Sequence, residues 1–109
     1  MAETQDRTDC PVARALELLG DRWSLLIVRN LTLDGPQRFS DFSRKVVGAS
    51  PAILSNRLKR LETAGLIERR FYSQHPPRAE YLLTEKGEAL GPVLAALREF
   101  GRTLPRRGG

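Results

Sequence analysis

The stretch that most constrains this chain runs from Ser50 to Ala64: Ser50-Pro51-Ala52-Ile53-Leu54-Ser55-Asn56-Arg57-Leu58-Lys59-Arg60-Leu61-Glu62-Thr63-Ala64. Leu54, Leu58 and Leu61 recur at i, i+4 and i+7, the spacing that lines one face of an α-helix. Ser50 supplies a hydroxyl to cap the first free N–H groups, and Pro51 sits where its missing N–H costs nothing. Gly65 ends the run. The other face carries Ala52, Ser55, Asn56, Lys59 and Thr63, with Arg57 and Arg60 on one flank. Small, amide and basic side chains on one side of a helix suit a DNA groove. An ordinary surface helix would show the same apolar stripe, so the neighbouring segments must decide.

Upstream, Phe39 and Phe42 bracket a short helix starting near Ser40, whose apolar side is closed by Val46 and Val47. A glycine-containing connection, Val47-Gly48-Ala49, leads into Ser50. Short helix, glycine turn and longer polar-faced helix is the layout of a helix-turn-helix. Downstream, Leu66 to Tyr72 is an extended run. Ser73 to Arg78 reads as a loop because two prolines disfavour both helix and central strand. Ala79 to Leu83 is a second strand. A hairpin directly behind such a helix is a wing.

Two further helices precede the motif, one from about Pro11 to Leu19 and one from Asp21 to about Leu33. Val12, Leu16 and Leu19 line one face of the first, which Asp9 or Cys10 would cap. The second is apolar around much of its circumference and is expected at the centre of the core, with Trp23 as packing material. A last helix spans Thr84 to about Leu104, with Pro92 kinking it or ending its first part. Leu90, Val93, Leu94, Leu97, Phe100 and Leu104 supply its apolar face.

The expected fold is mainly α with a small β-hairpin (α+β), a winged helix-turn-helix with extra N- and C-terminal dimerisation helices. At 109 residues it is one domain, over 10–104. The helix-turn-helix covers about 40–64, the wing about 66–84 and the dimerisation helix about 85–104. Residues 1–9 and 105–109 read as flexible ends. The last helix has no place in a minimal winged helix, so its stripe and the first helix call for a twofold partner. Such a dimer would read two half-sites roughly 34 Å apart or a multiple of that, a pseudo-palindromic operator.

Charge favours a polyanion. The chain carries a formal +5, and between Arg38 and Arg78 nine basic residues face three acidic ones, leaving a net −1 for the two ends together. The surplus is therefore local to the motif, the electrostatic footprint of a nucleic-acid binder. Double-stranded DNA is preferred to RNA because no aromatic stacking platform is visible. With one His, one Cys and scattered carboxylates, no metal cluster, nucleophile–base pair or phosphate loop can be assembled, so no enzyme, metal or cofactor is expected. No apolar span or charged-then-apolar leader is present, which points to a cytoplasmic protein without a membrane partner. A single cysteine excludes an internal disulfide and suits a reducing compartment.

Taken in order, these blocks resemble the HxlR-type winged helix-turn-helix transcriptional regulators, relatives of MarR. The resemblance runs from Cys10 to about Gly101. It is carried by Cys10-Pro11-Val12, by Gly20 to Ile27, by Arg38-Phe39-Ser40-Asp41-Phe42, by Leu54 to Glu62 with Gly65-Leu66-Ile67, and by Pro76 to Gly87. It implies a homodimeric DNA-binding repressor or activator.

On the outward face Pro51, Ala52, Ser55, Asn56 and Lys59 are the candidates for the major groove. Asn56 could pair with adenine, Lys59 could reach guanine and Ala52 could touch a thymine methyl. Arg38, Ser40, Arg44, Arg57 and Arg60 are candidate phosphate contacts, which position without reading sequence. Arg78 would enter the minor groove or hold a phosphate from the wing, while His75 reads as a solvated loop residue. Cys10 stands at a helix N-terminus, where the dipole favours thiolate, with Arg7 and Arg14 near in sequence. A subset of the resembling family uses a cysteine at this Cys-Pro position to sense an oxidant or a small electrophile. Cys10 is thus the candidate redox sensor, although cysteine often serves as a small buried hydrophobe. The alternative to DNA binding is a winged-helix module used for protein association.

Overall fold

The structure, a computed structural model, describes residues 10–107. The expected flexibility of residues 1–9 and of Gly108 and Gly109 lies outside them, as do Asp9 as a cap and Arg7 beside Cys10. Helix α1 spans Pro11–Leu19, α2 Ser24–Asp34, α3 Phe39–Lys45 and α4 Pro51–Thr63. Strands β1 (Ile67–Gln74) and β2 (Pro77–Leu83) follow, then α5 (Glu85–Glu88) and α6 (Gly91–Gly101). This is a winged helix, mostly helical with one antiparallel hairpin.

Helix α2 lies at the centre. Its Ile27, Val28 and Leu31 are buried and meet Phe42 and Val46 from the α3 region, Leu54, Leu58 and Leu61 from α4, and Leu66 and Ile67 at the start of the wing. The stripe read from the sequence is thus the inner face of α4. Asp21 is not helical. It sits in a turn before α2, and its carboxylate accepts from the Trp23 and Ser24 N–H groups at 2.9 and 3.0 Å and from the Ser24 hydroxyl at 2.6 Å. The residue expected to start this helix thus lies three positions before it and builds its N-terminus with its side chain.

Several details differ from the pattern-based expectation. Val46 is buried but Val47 is 81% exposed, because the chain turns at Gly48 before Val47 can face inward. Gly48 has φ +96°, and a Cβ there would come within 3.2 Å of the Trp23 ring, so the turn needs glycine twice over. The wing loop is shorter than two prolines suggested. β1 continues to Gln74 and β2 begins at Pro77, where an edge strand does not need the missing N–H. Of the four apolar residues at the start of the wing, Leu66 and Ile67 are buried and Phe71 and Tyr72 exposed. Buried Gln37, in the connection between α2 and α3, exchanges both backbone hydrogen bonds with Tyr81, at 2.9 and 2.7 Å, and so adds a one-residue strand to β2.

The C-terminal segment divides at Pro92, which occupies the first turn of α6. Only Leu90 and Leu94 pack against the core. Helix α6 ends at Gly101, so Leu104 lies beyond it. On α1 Leu19 alone of its apolar row is buried.

Candidate nucleic-acid interface

Helix α4 is set locally as read. The Ser50 hydroxyl accepts from the Ile53 N–H at 3.1 Å, Pro51 opens the helix, and Gly65 follows it with φ +81°. Pro51, Ala52, Ser55, Asn56 and Lys59 are all exposed. The buried leucines and these side chains occupy opposite faces of one rigid helix, which leaves a polar surface with mixed donor and acceptor capacity.

Around this helix the basic residues fall into two groups. Arg38, Ser40 and Arg44 stand exposed on or beside α3. Asp41 accepts from the Arg38 N–H at 2.9 Å to cap α3, and its carboxylate pairs with both guanidiniums, on Arg38 and Arg44. The Arg38 N–H and then the two arginines hold Asp41 below the ordinary carboxylate range, against the opposing effect of burial. Tyr72 of the wing, with Asp41, strengthens the hold of Arg38 on its proton, linking the start of α3 to β1. On the wing itself Arg69, Arg70 and Arg78 are exposed. Arg70 pairs across the strands with Glu80 at 2.9 Å, and Arg69 lies over the Phe71 ring. Lys59 and Arg78 have no ion pair among the described residues.

Arg57 and Arg60, expected as phosphate contacts, have partners inside the protein. Arg57 Nε donates to Asp21 Oδ2 at 2.9 Å, and its Nη1 donates to the Asn56 side-chain carbonyl. Arg60 Nη2 donates to the Glu17 and Leu18 carbonyls at 2.9 and 3.3 Å, with Nη1 4.0 Å from Asp21 Oδ1. These carbonyls belong to the last turn of α1, where a cation is favoured by the helix dipole. Helical periodicity placed both arginines on the flank of the polar face; it carried no information about the carboxylate waiting there.

Cys10 is the N-cap of α1. Its Sγ accepts from the Ala13 N–H at 3.3 Å, and the residue is half-buried and unpaired with another cysteine. Among the described residues no group of His, Cys, Asp or Glu is arranged to hold a metal, and no helix is long and apolar enough to cross a membrane.

The family model for the HxlR-like helix-turn-helix matches residues 18–107. The chain belongs to the HxlR-like helix-turn-helix family. It is a transcriptional regulator of HxlR/MarR winged-helix type. An uncharacterized HTH-type transcriptional regulator of Methanothermobacter thermautotrophicus is 41% identical over 93 residues, covering 85% of this chain and 70% of the relative. The regulator YdeP of Bacillus subtilis is 35% identical over 104 residues, covering 95% and 80%. Among solved structures, the redox regulator HypR in its oxidized form superposes with a TM-score of 0.81 at 33% identity, over 89% of this chain and 99% of that one. The reduced form of the transcriptional regulator YodB from B. subtilis gives 0.74 at 36% identity, over 92% and 98%. For an HxlR-type regulator, the residues that sequence reasoning missed are Asp21, the anchor of α2 and of two arginines on α4, and Gln37, the third-strand residue. An Asp three residues before Ser24 is a local signal for the cap on α2, but nothing local signals its arginine partners or the pairing of Gln37 with Tyr81, which lie far along the chain.

Proposed function

We propose that this HxlR-type regulator is a homodimer that reads double-stranded DNA with α4 in the major groove. The observation that carries this reading is the solvent-facing row Pro51, Ala52, Ser55, Asn56 and Lys59 on a helix fixed to the core by Leu54, Leu58 and Leu61. Asn56 and Lys59 are the base-reading candidates, Ala52 offers a methyl contact, and Pro51 and Ser55 complete the surface. Arg38, Ser40 and Arg44 take phosphates on the α3 side, and Arg78 takes a phosphate or the minor groove from the wing.

Dimerisation is assigned to α1 and α6. Val12 and Leu16 are 67% and 57% exposed, and Leu97 and Phe100 47% and 62%. Covering such side chains contributes roughly 1–2 kcal/mol each, enough together to hold a twofold pair. Cys10, on the same α1, is assigned the sensor role. Its position at the head of an exposed helix supports it, as does likeness to proteins described as redox regulators. Oxidation or alkylation of the thiol by an oxidant or small electrophile would alter α1 and with it the spacing of the two α4 helices. No catalytic role is assigned.

The test is a titration of purified protein against duplexes from its own upstream region and against random duplex, across a range of salt. Tighter binding to one upstream duplex and a steep loss with salt support the reading. No duplex binding at low salt overturns it in favour of an association module. Repeating the titration with Cys10→Ser, with and without diamide, tests the sensor; equal responses of the two proteins remove it.

A further inference from the structure

Among the described residues, the carboxylate of Asp21 reaches the DNA-reading helix from the turn before α2 and pairs with two of its arginines. It accepts three hydrogen bonds from the start of α2 and meets the guanidiniums of Arg57 at 2.9 Å and Arg60 at 4.0 Å. Its side chain is only 18% exposed, and those of Arg57 and Arg60 are 23% and 38% exposed. A planar guanidinium binds a carboxylate and a phosphate with the same fork of donors, so one anion can stand in for the other. Beyond Asp21 the contacts continue in two directions. Arg57 Nη1 donates to the Asn56 side-chain carbonyl, which leaves the Asn56 amide N–H groups free to donate to a base. Arg60 Nη2 joins α4 to the last carbonyls of α1.

We propose that Asp21 is a positioning residue of the reading helix, occupying on Arg57 and Arg60 the place a DNA phosphate would otherwise take and, through Arg57, setting the amide of Asn56. The proposal rests on the assignment of α4 to the major groove. In the wild type both arginines are held off the backbone, so sequence-independent attraction is restrained while Asn56 is presented in one orientation. Loss of the Asp21 charge releases two cations beside the groove.

Measurement of log K against log salt for random and cognate duplexes, with Asp21→Asn, Arg57→Gln and Glu88→Gln, tests this. Glu88 is exposed on α5, so its variant makes the same change in net charge away from α4. Each phosphate contact steepens the slope by roughly 0.9. Asp21→Asn is expected to bind random duplex more tightly, with a slope steeper by roughly 1–2. It should also lose preference at the base facing Asn56. Arg57→Gln is expected to leave the random-duplex slope as in the wild type, an outcome that does not depend on how well Asp21→Asn folds. A slope lowered by roughly 0.9 in Arg57→Gln would make Arg57 a phosphate contact and overturn the proposal. An Asp21→Asn slope equal to those of the wild type and Glu88→Gln would overturn it as well. If the wild type binds no duplex, the DNA reading itself fails and the proposal with it; wild-type binding with unchanged slopes in the variants removes the role of Asp21 alone.

Discussion

Arg60, in the last turns of α4, donates to the backbone carbonyl of Glu17 at 2.9 Å across 43 residues of sequence. The helix assigned to DNA is thereby fastened to the C-terminal end of the helix whose N-cap is Cys10 and whose Val12 and Leu16 face outward. A shift of α1 in a dimer has a short, hydrogen-bonded route to α4.

The outward apolar residues of α1 and α6 make the oligomeric state testable without disturbing the core. Leu16→Asp combined with Leu97→Asp should give a folded monomer, seen by sedimentation with unchanged helical circular dichroism. Operator affinity should fall at least tenfold, because a monomer engages one half-site. Retention of the dimer would move the interface elsewhere.

Base reading and backbone binding should separate by mutation. Asn56→Ala is expected to cost ~1–3 kcal/mol on the operator and to relax preference at one base position. Arg78→Ala should weaken all duplexes alike and reduce the salt slope by about 1. Competition binding with single-base operator variants distinguishes the two; an Asn56→Ala loss spread evenly over every sequence would make Asn56 a backbone contact.

Asp21 also couples stability to acid. Burial raises its pKa, but the Ser24 hydroxyl, the Trp23 N–H and Arg57 outweigh it, and the folded value falls from 3.8 to about 2. A lowered carboxylate pKa stabilises the fold above the unfolded value and loses that contribution as pH falls through the folded one. With solvent screening the effect is roughly 1–2 kcal/mol. Denaturant unfolding of wild type and Asp21→Asn should therefore differ at neutral pH, with the gap closing between about pH 4 and 2. A constant gap over that range would show that the loss comes from packing and not from charge.

Gly87 is buried at the start of α5, and a Cβ there would lie 2.0 Å from the Leu66 carbonyl oxygen, itself bonded to the Thr84 N–H. Gly87→Ala should destabilise by roughly 2–4 kcal/mol, since backbone must move to admit a methyl group. At Gly91 nothing lies within 4 Å, so Gly91→Ala should be neutral or stabilise by up to about 1 kcal/mol. Thermal melts of the two variants give the comparison, and equal melting temperatures would contradict the close approach at Gly87.

The parts of this regulator legible in its residues are those governed by neighbours within a turn or two. Ser50 caps, Pro51 starts and Gly65 follows α4, while the Leu54, Leu58 and Leu61 period decides its inner face. The apolar start of the wing and the break at Pro92 are local in the same sense. What the tertiary structure alone decided are the contacts between residues far apart in the chain. Asp21 meets Arg57 across 36 residues, and Gln37 pairs with Tyr81 to lengthen the sheet. The face of α1 that looks helical and apolar is left uncovered except at Leu19. Periodicity tells which way a side chain leaves its own helix; only the packing of other elements determines whether a carboxylate, a core or solvent meets it there.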